Sequence, residues 1–287
     1  MSPRFSVVVP VYRDWEAVPG LLAALAAQTL AAFEILLVDN GSGSGAEAPP
    51  LALPPEARLV ACATPGSYAA RNAGAAVAAG DWLVFTDADC RPRPGWLAAL
   101  AEAAAAGDTH LLAGPVELVC GKAASANPYQ AYDKLRGIPQ ARYVRRGYAA
   151  TANLAVPAAV FAALGGFDAG RFSGGDAAFC RAAAEAGIGI ALVAEAVVEH
   201  PCRDSWEALA LKARRVKGGQ IRAGSRRSRL AWTLRTLTPP LRATVRFWRA
   251  EANATERYMA IRVLYRLWLV ELAEVARLAT GAPPERR

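Results

Sequence analysis

Apolar runs and helix-periodic stretches alternate along the chain as far as His200. Residues 5–12, Phe-Ser-Val-Val-Val-Pro-Val-Tyr, read as a buried strand interrupted by Pro10. Trp15 to Thr29 carry an Ala/Leu helical pattern with Leu21, Leu22 and Leu25 on one side. Phe33 to Val38 predict a second strand, residues 45–57 a Pro/Ala-rich loop and Leu59 to Ala63 a third short strand. Ser67 is placed to cap a helix over Tyr68 to Ala79, which Gly80-Asp81 ends. Trp82 to Phe85 form the most compact apolar run, and Pro92 and Pro94 stop its continuation. Residues 95–106 predict a helix, and Leu111 to Val119 a strand. Residues 121–148 are weakly patterned, open to reading as a substrate loop or as plain surface. A short strand over Thr151 to Val156 leads, through Pro157, into a helix over residues 158–164. A helix over 177–186 and a strand over 188–193 follow. This alternation predicts an α/β fold with a mainly parallel, doubly wound central sheet flanked by helices.

Polar residues collect at the ends of the apolar runs. Asp87 and Asp89 directly follow the central strand, where open α/β sheets bind ligands. Two carboxylates one residue apart suit Mg²⁺ or Mn²⁺ held against phosphates; the plainer alternative is a solvated turn. Asp39 ends the second strand ahead of a Gly/Ser-rich loop, a nucleotide-site layout. Arg71, in the first turns of its helix, is suited to a diphosphate or simply to a surface. Asp176 stands at a helix start behind two glycines, as an N-cap or as a working carboxylate. His200, one of two histidines, ends the run Val197-Val-Glu-His and is a structural residue or a third metal ligand. No Gly-X-Gly-X-X-Gly follows the first strand, and no P-loop is present.

Composition changes the picture in two places. Hydrophobic residues make up 54% of the 287 positions, which argues against disorder. The five cysteines, 62, 90, 120, 180 and 202, are odd in number and scattered. That argues against a disulfide framework or a structural zinc site and for a reducing compartment. No signal-peptide layout and no apolar run long enough to span a bilayer is present, so the expectation is a cytoplasmic protein. From Arg203 onward the chain holds 19 Lys+Arg against 7 Asp+Glu, net +12; the residues before it hold 14 against 18, net −4. The basic third points to an anionic partner. Within it, after Pro239-Pro240, residues 257–280 form an amphipathic helix. Tyr258, Ile261, Leu264, Tyr265, Trp268, Leu272 and Val275 share one face, opposite Arg262, Arg266 and Arg277. This helix is read either as lying on the inner face of a membrane or as packing on the chain's own core or on a second copy in a homodimer. No nucleic-acid module is visible, and no nucleic-acid partner is expected.

In this order and spacing the motifs resemble family 2 glycosyltransferases of the GT-A fold, over roughly residues 4–215. They are Val-Val-Val-Pro-Val-Tyr, Leu-Leu-Val-Asp-Asn-Gly-Ser, Ala-Ala-Arg-Asn-Ala-Gly, Phe-Thr-Asp-Ala-Asp, Ala-Asn-Leu-Ala-Val, Gly-Gly-Phe-Asp and Ala-Val-Val-Glu-His-Pro. The resemblance implies a catalytic domain over 1–215 and a basic helical extension over 216–287. It implies inverting transfer of a sugar from a UDP-sugar or GDP-sugar to a glycan or lipid acceptor, with Mn²⁺ or Mg²⁺. Pro10 and Tyr12 would line the nucleoside pocket and Asp39 would read the base. Arg71 would lie near the diphosphate and Asp87 by the ribose or the metal shell. Asp89 and His200 would bind the metal, and Asp176 would be the general base. The family often has Glu-Asp where this chain has Gly175-Asp176, and an acidic residue where Ala178 stands. The Gln-X-X-Arg-Trp motif of processive synthases is absent, Gln220-Ile-Arg222 being a faint echo. The other readings are a sugar nucleotidyltransferase, which Tyr12-Arg-Asp-Trp after the first strand fits poorly, and a catalytically silent membrane-binding module.

Overall fold

A computed structural model describes residues 4–41, 52–107, 110–121, 127–171, 173–222 and 225–284. Most of the Gly/Ser loop after Asp39, the start of the Pro/Ala-rich loop and Phe172 lie outside the described residues. The chain forms two compact units: residues 1–117, 138–170 and 175–200 make the first, and 118–137, 171–174 and 201–287 the second.

In the first unit β1 (Phe5–Val11), α1 (Val18–Ala26), β2 (Phe33–Asp39), β3 (Ala57–Ala61), α2 (Ser67–Val77) and β4 (Trp82–Phe85) follow one another. β1 pairs in parallel with β2 and β4, and β2 with β3. β5 (Arg91–Pro92), α3 (Trp96–Ala105), β6 (Leu111–Ala113) and β7 (Val116–Val119) continue the chain. After α4 (Pro128–Arg136) and α5 (Gln140–Val144) a 3-10 turn, Thr151–Asn153, leads into β8 (Leu154–Pro157). α6 (Ala158–Ala163), α7 (Gly175–Glu185), β9 (Ile190–Leu192) and β10 (Val198–Pro201) come next. The main sheet runs β3-β2-β1-β4-β8-β6-β9. It is mainly parallel; β8 alone runs against its neighbours β4 and β6. β5, β10 and β7 form a second, small sheet.

Alternation along the strands divides the core. Val7, Val9 and Val11 pack with Leu21, Leu25, Trp96, Leu97 and Leu100 from α1 and α3 on one face. Val8, Leu83 and Phe85 pack on the other with Tyr68, Phe161, Phe167 and Phe179. α2 approaches the sheet unusually closely. A Cβ at Gly74 would sit 2.5 Å from Val8 Cγ1 and 2.9 Å from Val38 Cγ2, so glycine is what lets the helix lie there.

Several sequence expectations change in detail. The run Leu111 to Val119 is two strands in two sheets, split at Gly114-Pro115. A Cβ on Gly114 would run into the Ala196 carbonyl and the Asn153 amide. Ser67 is the first residue of α2 rather than its cap. Asn40 secures the helix entry instead, accepting from Gly66 N (2.7 Å) and donating to Thr64 O (2.7 Å). The weakly patterned 121–148 stretch contains two helices. Asn127 caps α4 by accepting from Tyr129 N and Gln130 N, with Pro128 at its first position.

The second unit is helical: α4, α8 (Trp206–Arg222), α9 (Arg226–Leu237), α10 (Leu241–Trp248) and α11 (Ala254–Ala279). α11 packs against α4, α8, α9 and α10. Its Ala260, Val263, Leu264 and Leu267 join Tyr132, Leu209 and Phe247 in a separate core. The helix over 257–280 packs on the chain's own core, but with a face rotated from the expected one: of the seven residues expected to be apolar-facing only Leu264 is buried there, and Tyr258 is exposed. Cys120 and Cys202 form a disulfide, with Cα atoms 4.9 Å apart, contrary to the expectation of free thiols. The two lie 82 residues apart in sequence, and spacing alone did not reveal the pairing. Among the described residues no helix is long and apolar enough to cross a membrane.

Candidate active site

The site forms where the carboxyl ends of β1, β2 and β4 meet the N-terminal turns of α2 and α7. All of its residues belong to the first unit. β4 is completely buried, so Asp87 and Asp89 emerge from a fixed base. Thr86, at the end of the apolar run, is buried and donates to Ala152 O at 3.0 Å. Asp87, Asp89, Cys90 and His200 offer donor atoms that all lie within 4.8 Å of one another. His200 is buried, and its Nε2 lies 3.6 Å from Asp89 Oδ2. The pairing of β10 with β5 brings it there: Glu199 faces Arg91, two residues beyond Asp89.

The donor set fits a hard divalent cation. Two part-exposed carboxylates and one imidazole leave room for water and phosphate oxygens, as Mg²⁺ and Mn²⁺ require. Cys90 is a poor member of the set. Burial, and the charges of Asp87 and Asp89, hold its thiol well above the ordinary range.

Arg71 projects from the second turn of α2 and is buried. Its guanidinium bonds Asp87 Oδ1 at 2.5 Å and the Ser67 carbonyl at 3.4 Å, while its Nε is buried with no partner. It therefore holds the first aspartate of the pair directly. Tyr68, one turn earlier on α2, was not singled out from the sequence. An aromatic residue in an Ala-rich helix reads as core, and its ring does pack 5.5 Å from Phe167. Its hydroxyl accepts from Gly175 N at 2.9 Å and donates to Asp176 Oδ1 at 3.3 Å.

Asp176 is thus a hydrogen-bonded residue of the first turn of α7, its Oδ1 also accepting from Ala177 N at 2.8 Å. Burial raises its pKa above the usual carboxylate value. The Ala177 amide, the Arg71 charge and the Tyr68 hydroxyl oppose that rise. The same burial keeps Tyr68 a neutral phenol.

Two asparagines, also missed from sequence, fix the frame. Asn72 makes a pair of hydrogen bonds with the Phe167 backbone, donating to its carbonyl at 2.7 Å and accepting from its amide at 2.9 Å. The Gly-Gly-Phe-Asp turn is thereby pinned to α2. Asn153 donates to Pro115 O and Ala196 O and accepts from Trp96 Nε1.

The remaining expected residues gather at the neighbouring strand ends. Val11 of β1 stands opposite Asp39 of β2, and Pro10 opposite Val38. Pro10, Tyr12 and Asp39 are all partly exposed. Arg13 follows at φ 57°, a left-handed turn that ends the strand.

Comparisons with known proteins agree with this arrangement. A family model described as Glycosyl transferase family 2 matches residues 6–171. Glycosyltransferase AglE of Haloferax volcanii is 31% identical across 96% of this chain and 94% of its own length. Undecaprenyl-phosphate 4-deoxy-4-formamido-L-arabinose transferase of Sodalis glossinidius is 37% identical across 36% of this chain and 34% of its own. Among solved structures, the mannosyltransferase PcManGT from Pyrobaculum calidifontis, in complex with GDP-Man and Mn²⁺, superposes with a TM-score of 0.55 at 20% identity. That match covers 98% of this chain and 87% of the other. S. aureus TarS 1–349 in complex with UDP-GlcNAc gives 0.53 at 14% identity, over 97% and 92%. At these identities the two structures speak to the fold, which is GT-A.

Proposed function

The chain belongs to glycosyl transferase family 2, and from that premise we propose a metal-dependent, inverting transfer of a sugar from a nucleoside diphosphate sugar to a lipid-linked or cell-envelope glycan acceptor. One observation carries the reading. Two residues three apart on α2, Tyr68 and Arg71, bond Asp176 and Asp87 respectively. A carboxylate raised by burial is so set beside a cluster suited to a cation.

The residues divide the work. Asp89, His200 and Asp87 would hold Mn²⁺ or Mg²⁺, which when bound offsets charge on the departing diphosphate. Arg71 bonds Asp87 and holds it in place. Pro10, Tyr12 and Asp39 line the end of the sheet that receives the nucleoside. Asp176 removes the proton of the acceptor hydroxyl as that oxygen attacks the anomeric carbon. Tyr68, Ala177 and the Thr151 backbone hydrogen-bond this carboxylate and hold it in place. With one base and a single displacement, configuration inverts. A nucleotidyltransferase is less well supported, because β1 runs into Tyr12 and the Arg13 turn rather than into a glycine-rich loop.

The named relatives motivate the choice of donors and acceptor. PcManGT is described with GDP-Man, TarS with UDP-GlcNAc, and the Sodalis transferase by its undecaprenyl-phosphate. The test is a panel of UDP- and GDP-sugars, with polyprenyl-linked acceptors, in Mn²⁺ and in EDTA. Transfer is expected only with the metal and is expected to be lost in Asp89→Ala. Asp176→Asn should retain donor binding while slowing transfer to a hydroxyl by about 10²–10⁴-fold. Full turnover in EDTA would overturn the metal assignment. Unchanged turnover in Asp176→Asn would overturn the base and point to an acceptor that arrives already ionised, such as a phosphate.

A further inference from the structure

α9 is built inside out. Its buried residue is Thr236, whose hydroxyl accepts from Lys217 Nζ at 2.9 Å and donates to Trp232 O. Trp268 Nε1 donates to the Thr236 carbonyl at 2.7 Å. The helix is thus fastened to its own unit by polar bonds, and its leucines face outward. Leu230, Leu234 and Leu237 follow an i, i+4, i+7 spacing and are 59%, 55% and 56% exposed. α10 repeats the arrangement. Phe247 is buried against Tyr132, while Leu241, Val245 and Trp248, again at i, i+4, i+7, are half or more exposed. Each of the two successive helices thus bares a stripe of three large apolar side chains at helical spacing, more than scattered single exposed residues provide.

The charge around these stripes selects what covers them. From Arg226 to Ala250 there are seven arginines and no acidic residue. Arg226, Arg227, Arg242 and Arg249 are exposed, and helical spacing places them beside the stripes. A second copy of this face would set arginine against arginine. Nucleic acid would satisfy the arginines and leave the leucines in water. An anionic bilayer satisfies both: acyl chains take the leucines and Trp248, and headgroup phosphates take the guanidinium groups.

We propose that α9 and α10 lie in the surface of a negatively charged membrane and dock the chain there. α11 differs: its Ala260, Val263, Leu264 and Leu267 are taken up by the unit's own core. The inference rests on the helical unit and stands whether or not the reaction assigned above is right.

The test is co-sedimentation of the full chain with phosphatidylcholine vesicles and with vesicles containing phosphatidylglycerol. Binding is expected to the second alone and to weaken as salt is raised. Leu230→Ser/Leu234→Ser/Leu237→Ser should weaken binding at least about tenfold, because interfacial affinity follows both apolar area and charge. Its circular dichroism should match the parent's, since the three side chains are exposed. Leu269→Ser, at an exposed position on α11, should bind as the parent does. Arg226→Glu/Arg227→Glu should reduce both affinity and its salt dependence. Equal binding to both vesicle types overturns the proposal. So does a triple-serine variant that sediments like the parent. A parent that ignores vesicles but is dimeric by light scattering, with the serine variant monomeric, also overturns it in favour of a second copy.

Discussion

Replacing Arg71 by methionine tests whether the helix α2 organises the site. The Arg71 side chain is 4% exposed, that of Asp87 is 35%, and their bond is 2.5 Å. Removing one partner of a fully buried ion pair costs about 3–5 kcal/mol, mostly because the other charge is stranded. Water reaches a third of Asp87, so roughly 2 kcal/mol is the expected loss for Arg71→Met. Asp87→Asn alone strands the more deeply buried guanidinium, whose Nε already lacks a partner; it should cost at least as much. The double variant has no charge to strand, so the two losses should not add. A coupling of about 2 kcal/mol is expected in a double-mutant cycle. Because the chain has two units, urea midpoints should be read alongside amide exchange in β4, which reports the first unit. The double variant should recover much of the stability and none of the transfer. Additive losses, with coupling under about 0.5 kcal/mol, would refute the claim that Arg71 is held there by Asp87.

Other consequences are open to direct measurement. Tyr68→Phe removes a donor that favours ionised Asp176, so the acid limb of the transfer profile should move to higher pH with the fold intact. Lys212 is depressed to about 7, chiefly by burial and then by the charge of Arg203, from an ordinary value of 10.5. Between those values the unfolded chain binds the proton that the folded chain does not. Stability should therefore rise with pH across that window, and the slope should flatten in Lys212→Met. Gly114→Ala drives a Cβ into the Ala196 carbonyl and should cost several kcal/mol, about 3 or more, read as a lowered melting temperature. Thiol titration of the denatured, unreduced chain should find Cys62, Cys90 and Cys180 alone.

Much of the first unit was legible because its signals are local. β1, β2 and β4 are buried on both faces and so are continuous apolar runs, and the aspartates that end them mark the working edge. The failures came where a distant group decides the local outcome. Ser67 had the right chemistry for a cap, but Asn40, on another strand, already occupies the helix entry. Gly114-Pro115 was a readable break, and the apolar residues on either side hid it. Asn127-Pro128 was a readable helix start in a stretch that lacks strong periodicity. Tyr68 and the Cys120–Cys202 bond had no signal of their own, since each depends on which residues the fold brings opposite them. The amphipathicity of 257–280 correctly gave a helix with one apolar face. The face that the unit's core buries, Ala260, Val263, Leu264 and Leu267, shares only Leu264 with the residues expected there, and Tyr258 of the expected face is exposed.

The pair of hydrogen bonds between Asn72 and the Phe167 backbone locks α2 to the turn that precedes α7, which carries Asp176. On the assignment proposed above, one helix would serve both halves of the chemistry, and neither half could be tuned alone. Attempts to broaden donor choice by mutating this helix should disturb proton removal in the same stroke. Engineering for new nucleotides, by contrast, would start from the strand ends around Tyr12 and Asp39, on β1 and β2.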